Sequence, residues 1–288
     1  MSTVGQLLLS AARRLSASES PRLDAEVLMM RLLGVDRAFL YARPETELPP
    51  KAAAAYDTLV DARERGMPVA YLTGEREFFS RLFRVTPDTL IPRPDTERLV
   101  DAALQLKLPE RARVLDLGTG SGALAITLAL ECPDWDVTAT DLNAATLAVA
   151  RDNAARLHAC VRFVQGDWFA AVPAEDHFDL VVSNPPYIAA DDPHLLQGDV
   201  RFEPRGALVS ADGGLADIAR IVTDARTVLA DGGWLLVEHG WQQGAATREL
   251  ATSAGYAPVK TLDDLAGRPR ALMAGWRQPH DPDGGHHG

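Results

Sequence analysis

The sequence predicts an α/β protein: a doubly wound, mainly parallel sheet preceded by a small helical bundle. Three observations carry this reading. From Arg113 to Gly275, short apolar β-branched segments alternate with segments of helical period, the pattern of strands joined by crossover helices. Before Gly66 the apolar residues recur at helical spacing. Between these regions the period changes, and Pro87, Pro92 and Pro94 punctuate the chain.

Val4, Leu7, Leu8, Ala11 and Leu15 mark a first amphipathic helix, and Leu23, Val27, Leu28, Leu32 and Leu33 a second. Ser20 before Pro21 is a helix start and Gly34 a helix stop. A further helix is expected over Lys51 to Arg65. Residues 1–70 contain no nucleophile–base pair or metal-ligand spacing, so they read as a recognition or packing domain. Gly74 to Val85 reads as two short strands around Ser80-Arg81, and residues 71–95 form a hairpin-like connector. Asp95-Thr-Glu-Arg-Leu-Val opens a helix with acids in its first turn, where they suit the macrodipole. The second domain is expected over residues 96–278.

In that domain, strands are expected at Val114–Leu117, Asp136–Thr140, Val161–Gln165, Phe178–Val182 and Trp234–Glu238, and near Ala257–Lys260 and Ala271–Gly275. Helices are expected at Ala123–Leu130, Ala144–Leu157 and Leu215–Leu229, and after Trp241. The tail, residues 279–288, carries Gly284-Gly285 with His280, His286 and His287, and is expected to be disordered.

Hydrophobic residues are 47% and charged residues 24%, a globular composition. No apolar run approaches ~18 residues, so no transmembrane helix is expected. The first residues lack the basic region and cleavage pattern of a signal peptide, which predicts a cytoplasmic protein without a membrane partner. Cys132 and Cys160 lie far apart outside any CxxC pattern, so neither a disulfide scaffold nor a metal site is expected. Net charge is −11, and residues 111–288 hold 14 basic against 24 acidic side chains. Nucleic-acid affinity comes mainly from clustered Lys and Arg, so no nucleic-acid partner is expected. A monomer is expected.

Asp116-Leu-Gly-Thr-Gly-Ser-Gly122 joins the first strand of the second domain to its first helix. Gly118, Gly120 and Gly122 permit a tight turn and close approach of a ligand, with Thr119, Ser121 and the helix N-terminus alongside. Asp141 ends the next strand, where a carboxylate can accept both ribose hydroxyls. An adenosyl ligand is expected, but the loop alone does not separate a dinucleotide from S-adenosylmethionine. At Gln165-Gly-Asp-Trp168, Asp167 can accept from an adenine amino group and Trp168 can stack on the ring; a turn Asp with a half-buried Trp is the bland alternative.

Phe178-Asp-Leu-Val-Val-Ser-Asn-Pro-Pro-Tyr187 is a strand running into a rigid loop. Pro185 and Pro186 lack N–H groups and have fixed φ, so Ser183 and Asn184 are presented at a strand's carboxyl end, where open α/β sheets bind ligands. A conjugated –NH2 group is a poor nucleophile. The Asn184 side-chain oxygen and the Pro185 carbonyl can each take one of its N–H groups and aim its lone pair at an electrophile. Tyr187 can lie against the flat face of the amide. A sulfonium methyl suits this loop, because such a carbon needs no dedicated general base.

These motifs, with Leu90-Ile-Pro-Arg-Pro-Asp-Thr-Glu97, Gly198-Asp-Val-Arg-Phe-Glu-Pro204 and Glu238-His-Gly-Trp-Gln-Gln-Gly244, resemble the HemK/PrmC family of peptide chain release factor glutamine methyltransferases. The resemblance covers nearly the whole chain. It implies a seven-stranded, Rossmann-like S-adenosylmethionine-dependent methyltransferase sheet whose substrate is the Gly-Gly-Gln glutamine of bacterial class I release factors, gripped by the N-terminal helices. By position it implies that Gly118 to Gly122 hold the methionine part, Asp141 the ribose and Trp168 the adenine. Asn184 would then stand between cofactor and substrate, with Pro185, Pro186 and Tyr187 forming the glutamine pocket. It also places Arg93 and Glu97 beside the cleft, although a pair four apart at a helix start is ordinarily a local stabiliser. Glu203 and Pro204 are expected to shape the loop after the catalytic strand. The rival readings are an amino-methyltransferase acting on adenine or cytosine in nucleic acid, an NAD-dependent oxidoreductase, and a cofactor-binding module that only docks a partner.

Overall fold

In the computed structural model, residues 2–278 are described; the expected disordered tail lies outside them. Packing divides the chain into two compact units. The first runs up to Arg76 and includes Val85–Pro87 and Pro193–Phe202; the second comprises Glu77–Arg84, Asp88–Asp192 and the residues from Glu203 onward. The sequence suggested consecutive blocks, whereas the helical unit draws in a short segment from far along the chain.

The first unit contains helices α1 (Val4–Arg14), α2 (Pro21–Leu33), α3 (Arg37–Ala42), α4 (Pro50–Glu64) and α5 (Val69–Thr73). Helix α1 starts with a reciprocal cap: Thr3 Oγ1 accepts from Gln6 N–H and Gln6 Oε1 from Thr3 N–H. Helix α2 ends at Gly34 with φ of 65°, a left-handed stop that glycine adopts without steric cost. Val4, Ala11, Leu15, Leu28, Met29, Tyr56 and Val60 form the core, and the Tyr56 hydroxyl donates to Ala25 O at 2.9 Å. The buried Glu26 accepts from Arg22, Arg37 and Tyr41. Burial pushes its carboxyl up, but those donors outweigh it and hold the group below its ordinary value. Helices α3 and α5, absent from the sequence reading, have 6 and 5 residues, too few to display a period.

The connector hairpin is present as Glu75–Phe78 and Arg81–Arg84, turning through Phe79 and Ser80 at positive φ. Helix α6 (Glu97–Gln105) follows. The main strands are β1 (Arg113–Leu117), β2 (Asp136–Asp141), β3 (Arg162–Gln165), β4 (Phe178–Ser183), β5 (Leu229–Glu238), β6 (Val259–Asp263) and β7 (Pro269–Gly275). Helices α7 (Ala123–Glu131), α8 (Ala144–Leu157), α9 (Ala216–Asp224) and α10 (Gly244–Ser253) lie between them. The seven strands order as β6-β7-β5-β4-β1-β2-β3, parallel from β5 through β3, with β7 antiparallel to both neighbours.

Alternation explains why the central strands read as continuously apolar. Val114, Leu180, Val182 and Leu236 pack with α6 and α7 in one cluster. Leu115, Leu117, Val181, Leu235 and Val237 pack with Ile218, Ile221 and Ala251 in the other. Both sheet faces are thus covered by helices. Strand β5 begins earlier than expected, because Gly232 (φ 81°) and Gly233 carry the chain through a register shift opposite Phe178. A Cβ at Gly233 would lie 2.9 Å from Ala230 O, so the strand passes where only glycine fits. Strand β6 begins two residues later than expected.

Register sets the site. Leu117 pairs with Thr140 on one side and Ser183 on the other, Ser183 with Val237, and Asp141 with Gln165. Gly118, Asp141, Gly166, Asn184 and Glu238 therefore leave one edge of the sheet together.

Candidate active site

The glycine loop is held by its own backbone. Gly122 N–H donates to Thr119 O and Thr119 N–H to Thr140 O, each at 2.9 Å. Gly118, Gly120 and Gly122 have φ of 67°, 59° and 84°. A Cβ at Gly118 would stand 3.1 Å from the Trp168 ring, and one at Gly122 2.6 Å from Ile126 Cδ1, while at Gly120 nothing lies within 4 Å. The loop therefore leaves open space above Gly120. Asp141 is fixed by two backbone donors, with Gly120 N–H on Oδ2 and Asn143 N–H on Oδ1, each at 3.0 Å.

Beneath the loop, Asp116 is fully enclosed. Its Oδ2 accepts from the Thr119 hydroxyl at 2.6 Å and from Ala125 N–H at 3.3 Å. Its Oδ1 has no partner among the described residues. Burial pushes the carboxyl up to about 7. Asp116 is one of the residues lining the cavity above the loop, and an unpaired buried carboxylate oxygen beside such a space favours a cationic ligand.

A cavity of about 480 Å³ opens over these groups, within the size range of small-molecule sites. Gly118, Thr119, Gly120, Ser121 and Asp141 line one part, Asp167 and Trp168 another, and Asn184 with Pro186 a third. Leu90, Pro92 and Thr96 of the connector, and Pro204 and Gly206 beyond the catalytic loop, complete the wall.

At Asn184 the side chain is anchored from behind. Its Nδ2 donates to Thr96 Oγ1 at 3.0 Å, and the Thr96 hydroxyl donates to Glu238 Oε2 at 2.7 Å. Glu238 Oε1 accepts the Tyr187 hydroxyl at 3.0 Å. Burial pushes both the Glu238 carboxyl and the Tyr187 phenol up.

The chain is 53% identical over 248 residues to the release factor glutamine methyltransferase of Bordetella pertussis, spanning 86% of this chain and 92% of that protein. This chain belongs to the release factor glutamine methyltransferase family. The Escherichia coli member is 48% identical over 273 residues, covering 94% of this chain and 98% of its own. Residues 6–74 match the PrmC N-terminal domain and residues 96–198 the methyltransferase small domain. A crystal structure of a methyltransferase from Pyrococcus furiosus superposes with a TM-score of 0.54 at 19% identity, covering 78% of this chain and all of that one. The fold is thus the seven-stranded methyltransferase sheet.

In this family member most of the residues expected at the site do converge on the cavity, with instructive exceptions. Gly122 stands behind the wall, its N–H used within the turn. Pro185 and Tyr187 also lie off the wall; the Tyr187 ring is drawn toward Glu238 rather than over the cavity. Asp167 is not a free acceptor, because Arg220 Nη1 donates to both of its oxygens at 3.1 and 2.9 Å. The Arg93–Glu97 pair does not form. Arg93 instead pairs with the buried Glu203, and Glu97 accepts from Phe79 N–H at 2.8 Å. Glu203 also accepts from Ile91 N–H at 3.0 Å, so it ties the connector to the loop it was expected to shape. Thr96, Asp116 and Glu238 were not read as site residues. Their signal was present for the acids, since a carboxylate within or ending an apolar strand is out of place in a core. Thr96 carries no such mark.

Proposed function

We propose that this protein transfers a methyl group from S-adenosylmethionine to the side-chain amide nitrogen of the glutamine in the Gly-Gly-Gln loop of bacterial class I release factors. The observation that carries the reading is that Asn184 and the glycine loop line one cavity, in a chain of this family.

The residues present suit the cofactor. The unpartnered Asp116 Oδ1 favours a cationic group, Gly120 leaves room for a chain against bare backbone, and each Asp141 oxygen retains acceptor capacity for a ribose hydroxyl. Trp168 offers a flat apolar face for an adenine, with Asp167 and Arg220 at the rim. Bound there, S-adenosylmethionine supplies a methyl carbon made electrophilic by its sulfonium and departs as S-adenosylhomocysteine.

The protein's own contribution is positioning. Asn184 Oδ1, on the cavity wall, accepts an N–H group of the substrate carboxamide and holds its nitrogen facing the electrophile; fixing a reactant in this way lowers the barrier without new chemistry at the loop. Pro186 closes the wall beside the carboxamide, and Tyr187 braces the loop from behind. The proton lost from nitrogen passes to water. The helical domain, residues 1–70, binds the release factor away from the reacting loop; its exposed Leu9, Leu23 and Tyr41 supply apolar contact surface. No helix among the described residues is long and apolar enough to cross a membrane, and the monomeric enzyme works in the cytoplasm on a translation factor.

The test is mass spectrometry of the tryptic Gly-Gly-Gln peptide after incubating release factor with enzyme and S-adenosylmethionine. One added methyl group on the glutamine is the expected result. Label entering DNA or RNA while the peptide stays unmodified would favour the nucleic-acid reading, which the acidic surplus of residues 111–288 opposes.

A further inference from the structure

We infer that Thr96 and Glu238 are positioning residues for Asn184: the buried carboxylate dictates, through one hydroxyl, which end of the Asn184 carboxamide is offered to the substrate. The kinetic side of this inference rests on the methyl-transfer reading above.

An asparagine side chain is nearly symmetric in shape but opposite in function at its two ends, one accepting and one donating. Only the oxygen end can hold a substrate –NH2. What selects that end is the direction of a hydrogen-bond chain. Glu238 is buried, and each of its carboxylate oxygens takes one hydroxyl, from Thr96 at 2.7 Å and from Tyr187 at 3.0 Å. A carboxylate only accepts, so the single Thr96 proton must point at Glu238. Thr96 Oγ1 can then only accept from Asn184, which must supply its Nδ2, as it does at 3.0 Å. The other end, Oδ1, is left for the substrate. The chain reverses as a unit: a donor facing Thr96 in place of Glu238 Oε2 would turn the Thr96 proton toward Asn184 and present the –NH2 end to a substrate that is itself a donor.

Place in the fold favours this role. Glu238 ends β5 and Asn184 follows β4, with Ser183 and Val237 paired across the two strands. Thr96 is buried at the start of α6, and it also reaches the cavity wall. The same carboxylate holds Tyr187, so one anion braces both ends of the Asn-Pro-Pro-Tyr loop. Burial raises the Glu238 carboxyl and Asp95 adds to this, while the Thr96 and Tyr187 hydroxyls and the Arg270 guanidinium, which meets Asp95 and Asp264 at 3.1 and 3.3 Å, act in the opposite direction.

Three variants test the inference: Thr96→Val, which keeps the shape and removes the hydroxyl; Thr96→Ser, which keeps the hydroxyl; and Glu238→Gln, which keeps the shape and adds a donor. In methyl transfer to release factor, Thr96→Val and Glu238→Gln are expected to lower kcat at least tenfold, with KM for release factor and Kd for S-adenosylmethionine within twofold of wild type. Thr96→Ser should restore kcat to within threefold. In parallel, the Asn184 side-chain amide signal of ¹⁵N-labelled protein, assigned by its loss in Asn184→Ala, should shift in Thr96→Val and exchange with water at least tenfold faster, but stay in place in Thr96→Ser. An unchanged amide signal in Thr96→Val, or a kcat above half of wild type, overturns the inference. Wild-type protein that moves no methyl to release factor defeats the functional reading instead, and the amide signal then decides the orientation alone.

Discussion

Ile91 donates its backbone N–H to Glu203 Oε2 over 3.0 Å, across 112 residues of sequence. The bond joins the two stretches that face each other over the cavity, the connector with Leu90 and Pro92 and the loop with Pro204 and Gly206. Arg93 binds the other oxygen of the same carboxylate. Glu203→Ala would leave a buried N–H and a cation without their acceptor, at a cost of about 1–3 kcal/mol for the N–H alone. We expect a Tm lower by roughly 2–8 °C and at least a fivefold rise in KM for release factor. Glu203→Gln, which keeps an acceptor for Ile91, should fall between Ala and wild type. A thermal melt and steady-state kinetics on both variants check this.

Asn184→Ala removes the acceptor for the substrate amide while leaving the strand and both prolines in place. Turnover should drop by at least ~100-fold, with cofactor affinity within threefold by calorimetry. Near-normal turnover would remove Asn184 from the reaction.

Asp116 links the site to pH. Its folded value, about 7, is raised from 3.8, so the folded cofactor-free protein holds this proton more tightly than the unfolded chain does. The corresponding stability is fully present below the lower value and is lost as pH rises through the upper one. The melting temperature should therefore decline between about pH 4 and pH 7, and Asp116→Asn should flatten part of that slope; Asp141 and Glu238, also raised by burial, retain the rest. A cationic ligand beside Asp116 favours its ionised form. Binding of S-adenosylmethionine near pH 6 should then release a proton, seen as a buffer-dependent heat in calorimetry that Asp116→Asn abolishes.

The glycines should separate by role. At Gly120 an added Cβ meets open space but requires φ of 59°, a conformation costing about 1 kcal/mol for alanine. At Gly122 it also meets Ile126 Cδ1 at 2.6 Å. Gly120→Ala is expected to weaken cofactor binding at least tenfold with a small change in Tm, whereas Gly122→Ala should lower Tm by several degrees more. Cofactor binding by Gly120→Ala within twofold of wild type would argue that the open space above Gly120 serves no ligand.

Much of this protein was determined by local sequence. Near-continuous apolar runs in Val114 to Leu117 and Phe178 to Val182 marked central strands, because a strand covered on both faces must be apolar on both. That Gly118 to Ser121, Asp141, Asn184 and Pro186 line one cavity was legible because turn chemistry and strand-end placement are properties of a few consecutive residues. Tertiary structure decided what depends on distant partners. Whether Arg93 meets Glu97 or Glu203, whether Asp167 is free or held by Arg220, and which end of Asn184 faces the cavity are settled by side chains brought together across the sheet edge. A hydrogen bond has a direction set by both of its partners, so no residue's own sequence neighbourhood contains that information. Thr96 is the clearest case: alone it is an unremarked hydroxyl at a helix start, and between Glu238 and Asn184 it becomes the link that orients the site.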